Sequence, residues 1–176
     1  MAAHVFISHS SADRSVAVAI CDALEAAGHS VWMAPRDVGP GDIWGEAIVN
    51  AIDASGVMLV VLSASANASP DVLREVSRAA DHGIRVVPLR IEDLRPTGAL
   101  AYFLSNHQWL DAFPGPFPLH LPRVVAAVAE VTGRRIVDAP ASAAARDTFV
   151  EVVPDRWSVD PRRRRGAWLR SLFEDK

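Results

Sequence analysis

The sequence predicts an α/β domain: a parallel sheet covered by helices on both faces. Two observations predict it. Short apolar runs alternate with longer stretches of helical periodicity along residues 4–133. The clearest of the runs, "GVMLVVLS" (56–63), is apolar almost throughout rather than alternating, as strands are when both sheet faces are covered.

The elements follow in order. "HVFIS" (4–8) reads as a buried strand. Residues 13–28 carry apolar side chains at 16, 17, 20, 24 and 27 and reach Gly28, which reads as a helix and its stop. Ser10 followed by Asp13 suggests a capping box at its start. "HSVWM" (29–33) is a second strand, residues 41–55 a helix, and 56–63 the third strand. "SPDVLREVSRAADHG" (69–83) is a helix with Ser69 as N-cap, Pro70 at its first position and Gly83 as its stop. "IRVVPLRI" (84–91) and "HQWLDA" (107–112) are the fourth and fifth strands. A last helix begins near Leu121, with Pro122 in its first turn. Five strands suit a flavodoxin-like winding, although their spatial order is not written in this pattern.

The tail from Arg134 has a different character. It holds "APASAAA", then "DTFVEVV", which reads as a short strand. Four consecutive arginines follow at 162–165, before a basic amphipathic stretch with Trp168, Leu169, Leu172 and Phe173. Three readings stay open: a surface helix packed on the domain, a membrane-surface or partner-docking segment, and a cut within a longer protein.

Bulk properties narrow the function. The chain has 176 residues and is 50% hydrophobic and 22% charged, which is globular rather than disordered. Its net charge of −3 does not suggest a nucleic-acid binder. The lone Cys21 rules out a disulfide framework or a cysteine-based zinc site within one chain. It reads as a small buried hydrophobe, which fits a reducing cytoplasm. "MAAHVFISHSS" runs into a strand without the basic opening of a secretory leader, and no apolar stretch approaches membrane-spanning length.

In open α/β sheets, ligands bind beyond the carboxyl ends of the strands. The segments 9–13, 34–45 and 63–71 follow the first three strands. They bring Ser8, Ser10, Ser11, Arg36, Asp37, Ser63, Ser65, Asn67 and Asp71 toward one rim, with Glu75 a little further along its helix and Trp32 and Trp44 alongside. Aromatics beside hydroxyls, a guanidinium and carboxylates suit a nucleotide-like ligand. No P-loop, dinucleotide fingerprint, metal-ligand spacing or serine-nucleophile elbow is present. The plainer readings are a solvated Glu75, a helix-capping Ser10 and Ser69, a Trp32 partly in the core, and an Arg36–Asp37 pair.

Three stretches, "VFISHSSAD", "GHSVWMAPRDVGPGDIWGEAIVNAI" and "MLVVLSASANASPDVLREVSRA", resemble a bacterial TIR (Toll/interleukin-1 receptor-like) domain. "VVPLRIED" and "HQWLDA" resemble its fourth and fifth strands, so the resemblance spans 4 to about 130 and leaves 134–176 as an extension. It implies a flavodoxin-like fold and one of two activities, NAD cleavage with release of nicotinamide or assembly alone. In enzymatic members a serine precedes the catalytic glutamate by six positions, as Ser69 precedes Glu75. The resemblance therefore implies Glu75 as catalytic carboxylate, Trp32 as a stacking wall, and Ser10, Ser11 and Arg36 at ribose or phosphate. Asp37, Trp44 and Asp71 complete the implied substrate site. Segment 34–45 matches the loop through which such domains assemble. NAD is then substrate, and no metal or resident cofactor is implied. One departure stands out: many members carry an aromatic four residues before the glutamate, where this chain has Asp71.

Three functions follow: an NAD-cleaving effector of bacterial immunity or signalling, active on self-association; a non-catalytic assembly module; and a membrane-peripheral signalling protein using the basic tail.

Overall fold

The computed structural model describes residues 4–133. Five parallel strands form one sheet in the order β2-β1-β3-β4-β5: β1 His4–Ser8, β2 Val31–Trp32, β3 Ser55–Leu62, β4 Arg85–Arg90 and β5 Leu110–Asp111. This is the flavodoxin-like order, with a topological switch between β1 and β3. Helices α1 (Arg14–Ala26) and α6 (Leu121–Thr132) pack together over one face. Helices α2 (Trp44–Asp53), α4 (Pro70–Asp81) and α5 (Gly98–Leu104) cover the other, and α3 (Ala64–Asn67) is a single turn after β3. Among the described residues no helix is long and apolar enough to cross a membrane.

The covered sheet explains the apolar strands. Val57 to Leu62 are all buried, and Phe6, Met58, Val60 and Leu62 join Ile52, Val72, Val76 and Leu104 in one core. Helix α1 buries Val16, Ala17, Ile20, Cys21 and Leu24, so Cys21 does pack as a small hydrophobe. Burial pushes its thiol up to about 12. Helix α4 starts as its sequence dictates: Ser69 caps it, accepting from the Val72 amide at 3.3 Å, and Pro70 opens it. Gly28 and Gly83, just beyond α1 and α4, take the left-handed conformation expected of stop residues.

Several elements differ from the sequence reading, each for a physical reason. The second strand, expected over 29–33, is two residues long. The Met33 amide, which would continue the ladder, donates to the Asp37 carboxylate at 2.9 Å instead. The fifth strand likewise shrinks to Leu110–Asp111, paired on one side only. Ser10 and Asp13 do not form a capping box. The Ser10 hydroxyl donates to the Asp13 carboxylate, and a 3-10 turn over Ser11–Asp13 leads into α1. The segment after β3, expected to be loop, coils into α3, capped by Ser63, which accepts from the Ala66 amide at 3.0 Å. Helix α5 has no counterpart in the sequence reading. It is seven residues long and opens on a glycine, too short for a periodic signal. The expected strand at 147–153 and the basic helix at 166–173 lie outside the described residues.

Candidate functional site

Because β1, β2 and β3 are parallel, the segments after them meet at one edge beside the switch point. Two adjoining clefts open there, of about 330 Å³ and about 430 Å³. Both are lined by Trp44 and Ile48 of α2 and by Asp71 and Glu75 of α4. The first cleft adds Ile7, His9, Ser11, Arg14, Ala34 and Pro35. The second adds the apolar Val49 and Ile52, together with Arg74 and Arg78.

Glu75 lies in the second turn of α4, partly buried, at the junction of the clefts. Its Oε2 accepts a 2.6 Å hydrogen bond from the hydroxyl of Ser8, the last residue of β1. Burial pushes the carboxyl up to about 7 against the pull of that hydrogen bond. The negative charge of Asp71 adds to the rise, and Arg74 opposes it. The group is therefore poised to change charge near neutral pH, whereas an exposed glutamate would stay ionised.

The other expected residues divide into two sets. Trp44 and Asp71 line both clefts with Glu75, and Ser11 lines the first. Trp44 is 52% exposed and its neighbour Ile43 is 65% exposed, unusual for side chains of that size. Asp71 is exposed and paired with Arg74. Asp71 occupies the position four residues before the glutamate, and the aromatic side chain lining both clefts is Trp44, on a different helix.

Ser10, Trp32, Arg36 and Asp37 are not among the lining residues. Ser10 is buried, its hydroxyl spent on Asp13, which also accepts from Ser63. That carboxylate ties the segment after β1 to the segment after β3. Trp32 stacks on Phe6 with ring centroids 5.1 Å apart and packs against the core. Arg36 donates to Asp37, to the Val31 carbonyl at 3.1 Å and to Glu25 of α1 at 2.8 Å. Asp37 accepts from Arg36 and from the Met33 amide. These bonds brace the start of the 34–45 segment. Further along, the Gly39 amide donates to Asp42 at 2.9 Å, and a Cβ on Gly39 would stand 2.8 Å from the same oxygen.

Sequence reasoning passed over His9 and Arg14 as lining residues, and Ser8 as the partner of Glu75. A signal for the first two was present: both flank the rim serines immediately after β1. Arg14 is exposed and makes no ion pair among the described residues, so it is a cation available to an anionic ligand. Burial lowers the pKa of His9. Among the described residues, no three His, Cys, Asp or Glu side chains gather as metal ligands do.

A parallel sheet covered on both faces, in the order β2-β1-β3-β4-β5 with a carboxylate-lined cleft at its switch point, defines a flavodoxin-like α/β domain. Residues 5–120 match the TIR domain family, and the chain belongs to that family. None of the curated proteins matches it in sequence. Among solved structures it is similar to the TIR domain of the Toll-related receptor TRR-2 from Hydra magnipapillata. That match has 22% identity and a TM-score of 0.60, covering 72% of this chain and 97% of the other. It is also similar to the TIR domains of the activated Roq1 resistosome, at 18% identity and a TM-score of 0.59, covering 72% of this chain and 99% of that one. A third similar structure is the CMP N-glycosidase BcmB of Clostridium botulinum, at 15% identity and a TM-score of 0.52, with 70% and 98% covered. These likenesses show a shared fold.

Proposed function

We propose that this TIR domain cleaves the N-glycosidic bond of NAD, with Glu75 as its catalytic carboxylate. The observation that carries this reading is Glu75 itself. It stands at the junction of two clefts at the switch point and is held from the end of β1, and burial pushes its carboxyl up to about 7. A similarly folded protein, BcmB, is an N-glycosidase of another nucleotide, so the fold is compatible with such chemistry.

The chemistry suits this set of residues. The bond between C1′ of the ribose and the nicotinamide nitrogen breaks, and its electron pair goes to nicotinamide. Nicotinamide thereby leaves as a neutral molecule, so the leaving group needs no proton. Positive charge builds on the ribosyl carbon, as in glycoside hydrolysis. An ionised carboxylate beside that carbon stabilises the charge or holds the ribose hydroxyls. Water, or a nucleophile within the same molecule, then completes the reaction. Trp44 offers the stacking face. Ser11 and Arg14 are the groups for the pyrophosphate, in place of Ser10 and Arg36, whose side chains are already engaged.

Because the carboxylate must be ionised, nicotinamide release should rise with pH through about 7. The test is release from NAD by the concentrated full chain on either side of that value, from mildly acidic to mildly alkaline buffer. A profile flat across that range contradicts Glu75 as the group that titrates. Parallel incubation with CMP separates the substrates: cytosine instead of nicotinamide would overturn NAD as substrate and keep the bond class.

Self-association through segment 34–45 is part of the proposal, with the domain an effector switched on by assembly. The exposed Ile43 and Trp44 favour it, being apolar side chains in that segment without full burial in the chain. The same observation supports the second reading, an assembly module without catalysis.

A further inference from the structure

Ser8 ends β1 and is fully buried, opposite Val60 of β3 in a sheet covered on both faces. A hydroxyl there costs free energy unless it finds a partner. Among the described residues its side chain has one, Oε2 of Glu75 at 2.6 Å. The reciprocal fact concerns the carboxylate. Its Oε1 accepts no hydrogen bond among the described residues, and the clefts lined by Trp44 and Asp71 meet at this side chain. One oxygen is thus tethered to the central strand and the other remains for a ligand.

We propose that Ser8 is the positioning residue of this site, its hydroxyl fixing one oxygen of Glu75 so that the other is presented to the ribosyl group. The proposal deepens the N-glycosidase reading and rests on it. It also assigns Ser8 a second effect. A donor to the ionised carboxylate favours that form, so the hydroxyl keeps Glu75 charged at a lower pH than burial alone would allow. The other charged or titratable groups toward Glu75 are Asp71, Arg74 and Arg78 from α4, His9 after β1, and Arg14 of α1. Helix α2 presents Trp44, Ile48 and other uncharged side chains to the clefts. A substitution of Ser8 leaves all of these in place.

The test titrates the Glu75 side-chain carboxyl by carbon NMR in full-length wild type, Ser8→Ala and Ser8→Thr, with the resonance assigned by its loss in Glu75→Gln. The pH profile of nicotinamide release is recorded on the same proteins. Ser8→Ala should move both the carboxyl midpoint and the rising limb of activity upward by about one pH unit. Activity then falls about tenfold on that limb and recovers above about pH 9. Ser8→Thr, which keeps the hydroxyl, should titrate like wild type. A wild-type midpoint in Ser8→Ala overturns the proposal, as does a loss of activity equal at every pH. Absence of nicotinamide release from wild type defeats the N-glycosidase reading instead, and the carboxyl midpoints still decide whether Ser8 holds Glu75.

Discussion

Glu75 titrates near neutrality because burial disfavours its charged form more than Ser8 favours it. The consequence for stability has a definite sign. Below pH 4.5, the ordinary value for this carboxyl, it is protonated both folded and unfolded and contributes nothing. Between there and about 7 the native chain retains a proton that the unfolded chain has released, so stability falls as pH rises. Above that window the cost is constant. Glu75→Gln removes it and retains an acceptor for Ser8. The variant should be more stable than wild type by about 2 kcal/mol at about pH 8, a figure discounted for the partial exposure of the side chain. The gain should vanish at about pH 4. Urea denaturation at the two pH values measures it, and an equal gain at both would show that the charge is not its source.

At the scale of elements, two arginines of similar sequence character have different duties. Arg36 braces the end of β2 against α1 through Glu25, Asp37 and the Val31 carbonyl. Arg36→Ala should lower stability by about 1 kcal/mol, since its pairs are partly solvated. Arg14→Ala should leave the melting temperature unchanged and raise the KM for NAD roughly tenfold, the effect expected of removing a single charge-assisted hydrogen bond. Melting curves and steady-state kinetics on both variants check this, and the reverse pattern would return Arg36 to the substrate. This contrast also marks how far the sequence could be read. Which segments flank the site follows from strand–helix alternation, and Glu75, Trp44, Asp71 and Ser11 come to the clefts with those segments. The partners of Arg36 and Ser10 are fixed only by packing: Glu25 lies on a helix beside β2, and Asp13 faces Ser63 from another strand's exit. For the same reason the pairing of Ser8 with Glu75 is invisible in the sequence, since the two are far apart along the chain. At the sheet edge, a single side-chain acceptor, Asp37, ends the ladder that apolar residues would otherwise continue, and nothing in the apolar pattern of β2 signals it.

At the scale of the whole molecule, topology does most of the placing. The order β2-β1-β3-β4-β5 puts the exits of β1 and β3 on opposite sides of a crevice, and α4 descends beside it with Glu75 in its second turn. The buried Asp13 joins those two exits through Ser10 and Ser63. Its replacement by alanine would leave the hydroxyl protons of Ser10 and Ser63 without their acceptor, with an expected loss of about 3 kcal/mol. Equilibrium denaturation measures that loss, and an unchanged midpoint would show that the tie is dispensable. At the rim of the crevice, Ile43 and Trp44 of segment 34–45 are largely exposed, Trp44 while also lining the clefts. If assembly through them switches the domain on, nicotinamide release per chain should rise with protein concentration. Ile43→Asp should flatten that rise at matched stability. Release strictly proportional to concentration, with light scattering reporting monomer throughout, would contradict assembly as the switch.

The most direct test of the central claim is nicotinamide release from NAD by concentrated wild-type chain and by Glu75→Ala, side by side. The account predicts release by wild type and a fall of at least about a hundredfold in the variant, the scale set by removing one group that stabilises a developing charge. Release that persists in Glu75→Ala, or no release from wild type under conditions where it self-associates, would contradict it.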